Sequence, residues 1–258
     1  MAVVTLLSDF GDGDFYLGAV KGELLQLCGT DCVIVDIHHG LLWGEYMRAG
    51  MMTQGYWNHF PKGTIHIHAL TPKAGDYAHV CFSEEGHFFL GTDIGQFSLV
   101  FPSRVEPVAD ISHVKGGDGT FPALSLFPKI VKLLLDGNLP QSWQVPNREL
   151  TKFILQDSNF FEKQLRGMVT YIDEHGNAHT NIHRDMFDRV FGDRPFRIIM
   201  RQRSRAITKI HKRYSEVNSG DLVAVFNHRG FLELSQNCGN FCRFVGASLN
   251  ESVIIEFS

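Results

Sequence analysis

The chain has 258 residues, 44% hydrophobic and 20% charged, a balance that suits one or two globular domains and excludes a disordered chain. Lys and Arg (24) against Asp and Glu (28) leave a formal charge of −4 with 13 neutral His, which argues against a nucleic acid or an anionic membrane surface as partner. No apolar run approaches the ~18–20 residues of a membrane span, and the start MAVVTLLSDFGDGD turns acidic without a basic leader, so neither a span nor a signal peptide is expected. Five cysteines (Cys28, Cys32, Cys81, Cys238, Cys242) are odd in number and widely spread, which predicts reduced thiols in a cytoplasmic protein. The two Cys-x-x-x-Cys pairs among them lack the repeated Cys-x-x-Cys of a structural zinc site.

In chain order, Val3, Val4, Thr5, Leu6 and Leu7 predict a first strand, which gives way at once to Ser8-Asp9-Phe10-Gly11-Asp12-Gly13-Asp14. A helix is predicted over 16–27, with Leu17, Val20, Leu24 and Leu27 spaced by three and four. A second strand over 32–37, a second helix over 44–58 that stops before Pro61, and an alternating third strand over 64–70 complete a βαβαβ order. That order predicts a mostly parallel sheet covered by helices. Strands over 78–82 and 87–91 read as a hairpin across Ser83-Glu84-Glu85-Gly86, and a helix over 124–135 ends at Gly137. Pro140, Pro146 and a polar surround then mark a connection over 141–165 between an N-terminal domain, 1–140, and a C-terminal one, 166–258. Beyond Gly167 the signals are nearly all β, over 168–173, 196–200, 222–226, 231–234 and 253–257. The expected fold class is therefore α/β: a larger N-terminal α/β domain with a mostly parallel sheet, plus a smaller antiparallel β-barrel-like domain.

Three segments could carry chemistry, each with a plainer alternative. Asp9 lies at the carboxyl end of strand one, where open α/β sheets place their ligands. Three Asp within 9–14 would repel a pyrophosphate but suit ribose hydroxyls, an ammonium or another cation; alternatively they form a solvated turn that caps the helix. Asp173-x-x-x-Asn177, followed by Thr180-Asn181-Ile182, offers an amide donor and acceptor matching the edge of an adenine, or else a hairpin turn built on Gly176-Asn177. Asn227-His228-Arg229-Gly230 offers an Arg that could clamp a carboxylate, or an exposed turn charge. Metal ligation is not expected. His175, His179 and His183 recur every four residues, but Gly176-Asn177 breaks the helix that would align them, and neither His66-x-His68 nor Asp36-Ile37-His38-His39 completes a site. No Gly-x-Ser-x-Gly elbow exists, so no nucleophile triad can be placed.

Taken together, these segments resemble the S-adenosylmethionine (SAM) hydroxide adenosyltransferases, relatives of the fluorinase and chlorinase that halogenate the 5′ carbon of SAM. Ser8-Asp9-Phe10-Gly11…Asp14-x-Tyr16-x-Gly18-x-x-Lys21-Gly22 is similar to the family's opening. Val35-Asp36-Ile37-His38-His39 stands where VDISH is usual, and Phe60-Pro61-Lys62-Gly63-Thr64-Ile65-His66 is similar to FPxGTIH. Gly91-Thr92-Asp93-Ile94-Gly95 takes the place of APDNG, and the segment from Asp173 to Ile182 that of DxFGNxxTNI. Tyr214-Ser215…Gly220-Asp221 and Gly230-Phe231-Leu232-Glu233-Leu234…Gly239-Asn240 resemble the closing barrel. The resemblance implies a homotrimer with intersubunit sites and SAM as substrate or ligand, with no metal and no other cofactor. It further implies that Asp9 holds the ribose hydroxyls, that Asp14 and Asp173 face the methionine ammonium, and that Arg229 and the backbone at His228 take the carboxylate. Asn177 and the backbone near Phe241 would read adenine, with Tyr214 and His175 stacking near it, while Trp43, Thr120 and Phe121 line the reacting end.

Departures from the family bear on the reaction. Water-using members carry an Asp-Arg-His set that prepares hydroxide. The Asp of their VDPGVG-like segment is Thr71 here, their Arg falls near Ala78 or His79, and the His of TFHGRD is Pro122. Asp76 and His79 are the nearby groups that could substitute. Three functions follow from the resemblance: cleavage of SAM with water to adenosine and L-methionine, binding or sensing of SAM or adenosine without turnover, and halide-using adenosyl transfer, for which Ala123 stands at a halide-pocket position.

Overall fold

The computed structural model describes residues 2–29, 32–73, 75, 77–114, 120–153, 157–201 and 205–258. The chain divides into two units, Met1–Phe153 and Ile154–Ser258. In the first unit, β1 (Ala2–Ser8), β2 (Cys32–His38), β3 (Ile65–Ala69), β4 (His79–Glu84), β5 (His87–Thr92), β6 (Val108–Asp110) and β7 (Asn147–Arg148) form one sheet. Its strand order is β2-β1-β3-β5-β4-β6-β7. The β1–β2, β1–β3 and β3–β5 pairs are parallel, and β4, β6 and β7 add antiparallel partners.

Strand alternation sorts the two faces of this sheet. Val4 and Leu6 of β1 pack with Ile65 and Ile67 of β3 against α1 (Phe15–Cys28), α4 (Pro122–Ser125) and α5 (Phe127–Leu135). Leu7 faces the other way, toward Ala49 of α2 (Tyr46–Tyr56), and Phe82 and Phe89 pack with Phe97 of α3 (Gln96–Val100). Being covered on both faces is why β1 reads as an apolar run, broken only by Thr5, whose hydroxyl finds a partner on the second face. The second face also buries two histidines. His66 bonds Thr5 Oγ1 (2.8 Å) and His87 Nδ1 (3.2 Å), while Thr53 Oγ1 donates to Ala49 O and therefore accepts from His68 Nε2 (3.0 Å). Burial pushes both imidazoles down to about 3.

Two local differences from the sequence expectation have clear causes. The helix expected over 124–135 is divided into α4 and α5, because Pro128 has no N–H to give Leu124 O and sits in the first turn of a new helix. The β4–β5 hairpin closes on Glu85 and Gly86 alone, with φ +48° and +85°, the two-residue loop whose left-handed pair matches strand twist.

The second unit is an open, curled half-barrel sheet. β8 (Asn159–Phe161), β9 (Gln164–Ile172), β10 (Ala178–His183), β11 (Phe196–Ile199), β12 (Ile210–His211), β13 (Leu222–Phe226), β14 (Phe231–Gln236) and β15 (Ser252–Phe257) are arranged in the order β11-β15-β9-β10-β14-β13-β12, with β8 on β9. Apart from the parallel β12–β13 pair, the pairings are antiparallel. Leu165, Val169, Ile182, Leu232, Val253 and Ile255 form its core with Phe187 of α6 (Arg184–Phe191) and Phe241 of α7 (Phe241–Val245). Neither of these helices was read from the sequence. Residues 141–165, expected as a connection, supply a short strand to each unit, β7 and β8. No helix among the described residues is long and apolar enough to cross a membrane.

Candidate functional site

In the first unit the parallel pairing of Ser8 with Ala69 brings the ends of β1 and β3 together. Asp9 and Thr71 follow those ends and meet. Asp9 Oδ2 accepts the Thr71 N–H at 2.9 Å and Oδ1 accepts the Thr71 hydroxyl at 3.1 Å. Burial raises the Asp9 pKa above 3.8, and the Thr71 bonds offset only part of that rise. Each carboxylate oxygen keeps lone-pair capacity for a further donor, as ribose hydroxyls would require. Asp14 is exposed, and its carboxylate accepts the Tyr16 N–H at 3.2 Å as the N-cap of α1, the helix-capping alternative considered above.

Beside Asp9 and Thr71 lies a cavity of about 300 Å³. Thr71, Thr120, Phe121, Pro122 and Ala123 line it, as do Phe10, Leu70, Tyr77, His79, Thr92 and Phe127. Pro122 begins α4, so this part of the wall is a helix start, and Phe121 is held by the rings of Phe10 (5.2 Å) and Tyr16 (5.0 Å). The alternation of β4 separates two neighbours that the sequence left equivalent. Ala78 packs with Val80 and Phe82 in the core on one face, whereas His79 lies on the opposite face and lines the cavity. His79 Nδ1 bonds Thr92 Oγ1 at 3.1 Å and its ring stands edge-on to Phe127 at 5.7 Å. Burial lowers its pKa, opposed by the charge of Asp110. Asp76 lies outside the described residues. Trp43 is 63% exposed and is not among the lining residues; its indole N–H reaches Pro72 O at 3.4 Å.

In the second unit the expected residues gather around the β9–β10 hairpin, so the turn alternative and the site occupy the same atoms. Asp173 Oδ1 accepts the N–H groups of His175 and Asn177, both at 2.9 Å. Its Oδ2 accepts from Asn177 Nδ2 at 2.9 Å and His179 Nε2 at 3.3 Å. Burial alone would raise its pKa, but these bonds, His179's foremost, bring it down to about 2. The proton on His179 follows from its other partner. Asn227 Oδ1 accepts the N–H groups of Arg229 (3.0 Å) and Phe231 (3.1 Å), which fixes the amide and turns Nδ2 toward His179 Nδ1 at 3.2 Å. Nδ1 must therefore accept, leaving the proton on Nε2, aimed at Asp173.

Beside this network lies Glu233, buried on β14 opposite His179; its Oε2 stands 3.5 Å from His179 Nδ1, a close approach rather than a hydrogen bond with the proton on Nε2. Glu233 Oε1 accepts from Tyr214 Oη at 2.5 Å and Ser235 Oγ at 3.0 Å. Burial, then donation to this carboxylate, pushes the Tyr214 phenol up. Asp173, His179 and Glu233 each offer a ligand atom within 4.8 Å of the others, the one grouping among the described residues that could hold a metal, yet hydrogen bonds already engage all three. His175 and His183 do not join it: His175 is exposed in the turn and His183 caps α6.

Phe241 opens α7, whose Cys242 N–H donates to Gly176 O at 2.9 Å and ties the helix to the Asn177 turn. Arg229 lies with its guanidinium 5.0 Å from the centre of the Phe231 ring, and burial pushes its pKa down to about 10. His228 beside it is exposed. The structure thus brings Asp173, Asn177, Tyr214, Arg229 and Phe241 into one bonded neighbourhood. Sequence reasoning weighed His179 for a metal alone and named Asn227 and Glu233 without a role of their own, and it assigned none to Tyr77 and Thr92 in the cavity.

Comparison with known proteins covers both units. A model described as the SAM hydroxide adenosyltransferase N-terminal domain matches residues 4–144, and one described as the C-terminal domain of the same family matches residues 167–254. The chain is similar to the (R)-S-adenosyl-L-methionine hydrolase of Methanocaldococcus jannaschii, 23% identical over 265 residues that cover 98% of this chain and 95% of that one. Its fold is similar to the crystal structure of an uncharacterized conserved protein from Thermotoga maritima, with a TM-score of 0.83 at 20% identity over 98% of this chain and 99% of that one. It is also similar to that of a conserved hypothetical protein from Thermus thermophilus, with a TM-score of 0.75 at 22% identity over the whole of both chains. Two domain matches in order, across most of its length, establish that the chain belongs to the SAM hydroxide adenosyltransferase family.

Proposed function

We propose that the protein binds SAM and cleaves it at the ribose 5′ carbon with water, releasing adenosine and L-methionine. The observation that carries this reading is the cavity of about 300 Å³: of the positions that the family resemblance sets at or near the reacting end, Thr71, Thr120, Phe121, Pro122 and Ala123 line it beside Asp9, while Trp43 does not. On this reading Asp9 accepts the ribose hydroxyls. In the intersubunit site that the family resemblance implies, Asp173 of one protomer, held ionised by its four donors, faces the methionine ammonium together with Asp14 of a neighbouring protomer, and Arg229 takes the carboxylate. Asn177 keeps one Nδ2 proton and its Oδ1 for the adenine edge after giving the other proton to Asp173.

SAM is a sulfonium, so methionine departs as a neutral thioether once a nucleophile attacks the 5′ carbon from behind. The protein has to align that nucleophile and strip its hydration, which aromatic walls such as Phe10, Phe121 and Phe127 accomplish without a metal or a covalent intermediate. The proposal includes assembly as a homotrimer, tested by analytical ultracentrifugation.

A second reading, SAM or adenosine binding without turnover, is favoured by one observation: Thr71 and Pro122 stand in the cavity wall where water-using members have Asp and His. One assay separates the readings. The protein is incubated with each sulfonium epimer of SAM, with and without chloride, and the products are resolved by chromatography. Adenosine with methionine supports the proposal. Binding by calorimetry without product supports the second reading, and a halogenated nucleoside would show that a halide is the nucleophile.

A further inference from the structure

Water attacking the 5′ carbon must lose a proton, and the cavity wall limits where that proton can go. Thr71 is uncharged, and Pro122 has neither an acceptor side chain nor an N–H. Among the described lining residues the titratable side chains are Tyr77 and His79. A phenol oxygen accepts a proton far less readily than an imidazole nitrogen. That leaves the imidazole, and the fold holds it at several points. Its backbone N–H donates to Ser112 Oγ at 2.9 Å, and Ser112 Oγ in turn donates to Asp110 Oδ1 at 2.6 Å. Its Nδ1 is engaged by Thr92 Oγ1 on the neighbouring strand, and Phe127 of α5 meets the ring edge-on. Burial favours the neutral imidazole, the form able to accept a proton.

We infer that His79 is the proton acceptor for the attacking water, and that Thr92 is its positioning residue. This rests on the SAM-cleaving reading above. With the Nδ1 proton directed to Thr92 Oγ1, Nε2 is the acceptor. The water oxygen forms the bond to C5′, the C5′–S bond breaks with its electron pair going to sulfur, and one water proton passes to His79 Nε2. SAM cation plus water therefore becomes adenosine, neutral thioether methionine and one proton, which His79 returns to solvent. A base of this kind contributes roughly 10²–10⁴ in rate. The position differs from that of the family's hydroxide-preparing His, which corresponds to Pro122; the acceptor here comes from a strand rather than from the start of α4.

The test compares wild type with His79→Gln and His79→Ala, each checked for folding by circular dichroism and for SAM affinity by calorimetry. Adenosine formation should fall by ~100-fold or more in both while affinity changes less than about threefold, and added imidazole should restore part of the His79→Ala rate. Thr92→Val should move the acid limb of the rate–pH profile while leaving affinity in place. Folded variants with wild-type rates overturn the inference, as do variants whose loss lies wholly in affinity. Absence of adenosine from wild type itself overturns the SAM-cleaving reading together with the inference, whereas wild-type turnover retained in His79→Gln overturns the role of His79 alone.

Discussion

Asp173→Asn keeps the shape of the β9–β10 turn and removes its charge, so it isolates what the four donors around Asp173 contribute. The native carboxyl titrates at about 2 against an ordinary 3.8, and its side chain is 23% exposed, too little for solvent to screen most of the effect. At about 1.36 kcal/mol per pKa unit, the ionised form is worth about 2 kcal/mol to the folded second unit at neutral pH. The sign follows from the direction of the shift. A depressed carboxyl stabilises fully above the unfolded pKa of 3.8 and loses that contribution as pH falls toward 2; about half is gone by about pH 3. The three tryptophans, Trp43, Trp57 and Trp143, all belong to the first unit and cannot report on this one. Hydrogen exchange of the β9 and β10 amides, read by mass spectrometry and corrected for intrinsic exchange rates, follows it directly. The wild-type advantage over Asp173→Asn should be near 2 kcal/mol at neutral pH and shrink on acidification. A difference independent of pH would refute the claim that the ionised carboxylate, rather than the shape of the turn, is what these donors stabilise.

Other perturbations reach different parts of the molecule. Asp9→Ala should weaken SAM or adenosine binding by about 2 kcal/mol, ~30-fold, through loss of a half-buried charged acceptor; unchanged calorimetric affinity would remove Asp9 from the ribose site. Gly176→Ala adds a Cβ that meets the Asn240 side chain at 2.2 Å, at a φ of +80°. It should cost the second unit about 2 kcal/mol by displacing the α7 cap and straining the turn, and exchange protection equal to wild type would contradict this. His66 and His68 stay neutral down to about 3 in the folded chain but titrate at 6.5 when unfolded, so only the unfolded state gains protons in between and stability falls as pH drops through that window. The urea midpoint of the first unit, followed by tryptophan fluorescence, should therefore be lower at about pH 5 than at about pH 7; equal midpoints would mean the pair does not govern acid sensitivity.

What could be read from the sequence is what neighbouring residues write locally. The apolar run of β1 and the acidic segment after it placed Asp9 at a strand end, and Gly176 after Asp173 marked a turn. The βαβαβ order supplied the parallel core of the first sheet. Pro128 marks the break between α4 and α5, and the helix expected over 124–135 runs through it because apolar spacing carries no trace of the missing N–H. The helix α6 went unread for the opposite reason: it is only Arg184–Phe191, capped by His183, an uncommon N-cap.

The polar network of the second unit was out of reach for a different physical reason. His179 meets Glu233 because β10 and β14 pair in one particular register, which sets His179 opposite Glu233. A shift of one residue would send every side chain on the strand to the other face. That register is decided by the summed burial of Ala178, Ile182, Leu232 and Leu234, none of which carries chemistry. The same holds at the cavity, where the alternation of β4 exposes His79 to the space and hides Ala78 in the core. Chemistry at strand ends and turns is therefore specified by the residues that perform it, whereas chemistry between strands is specified by apolar neighbours. For this chain the consequence is concrete. Substitutions at Leu232 or Leu234 that alter packing volume should disturb the His179–Asp173 bond without touching either residue, while the Asp173 bonds to the His175 and Asn177 N–H groups, local to the turn, should survive.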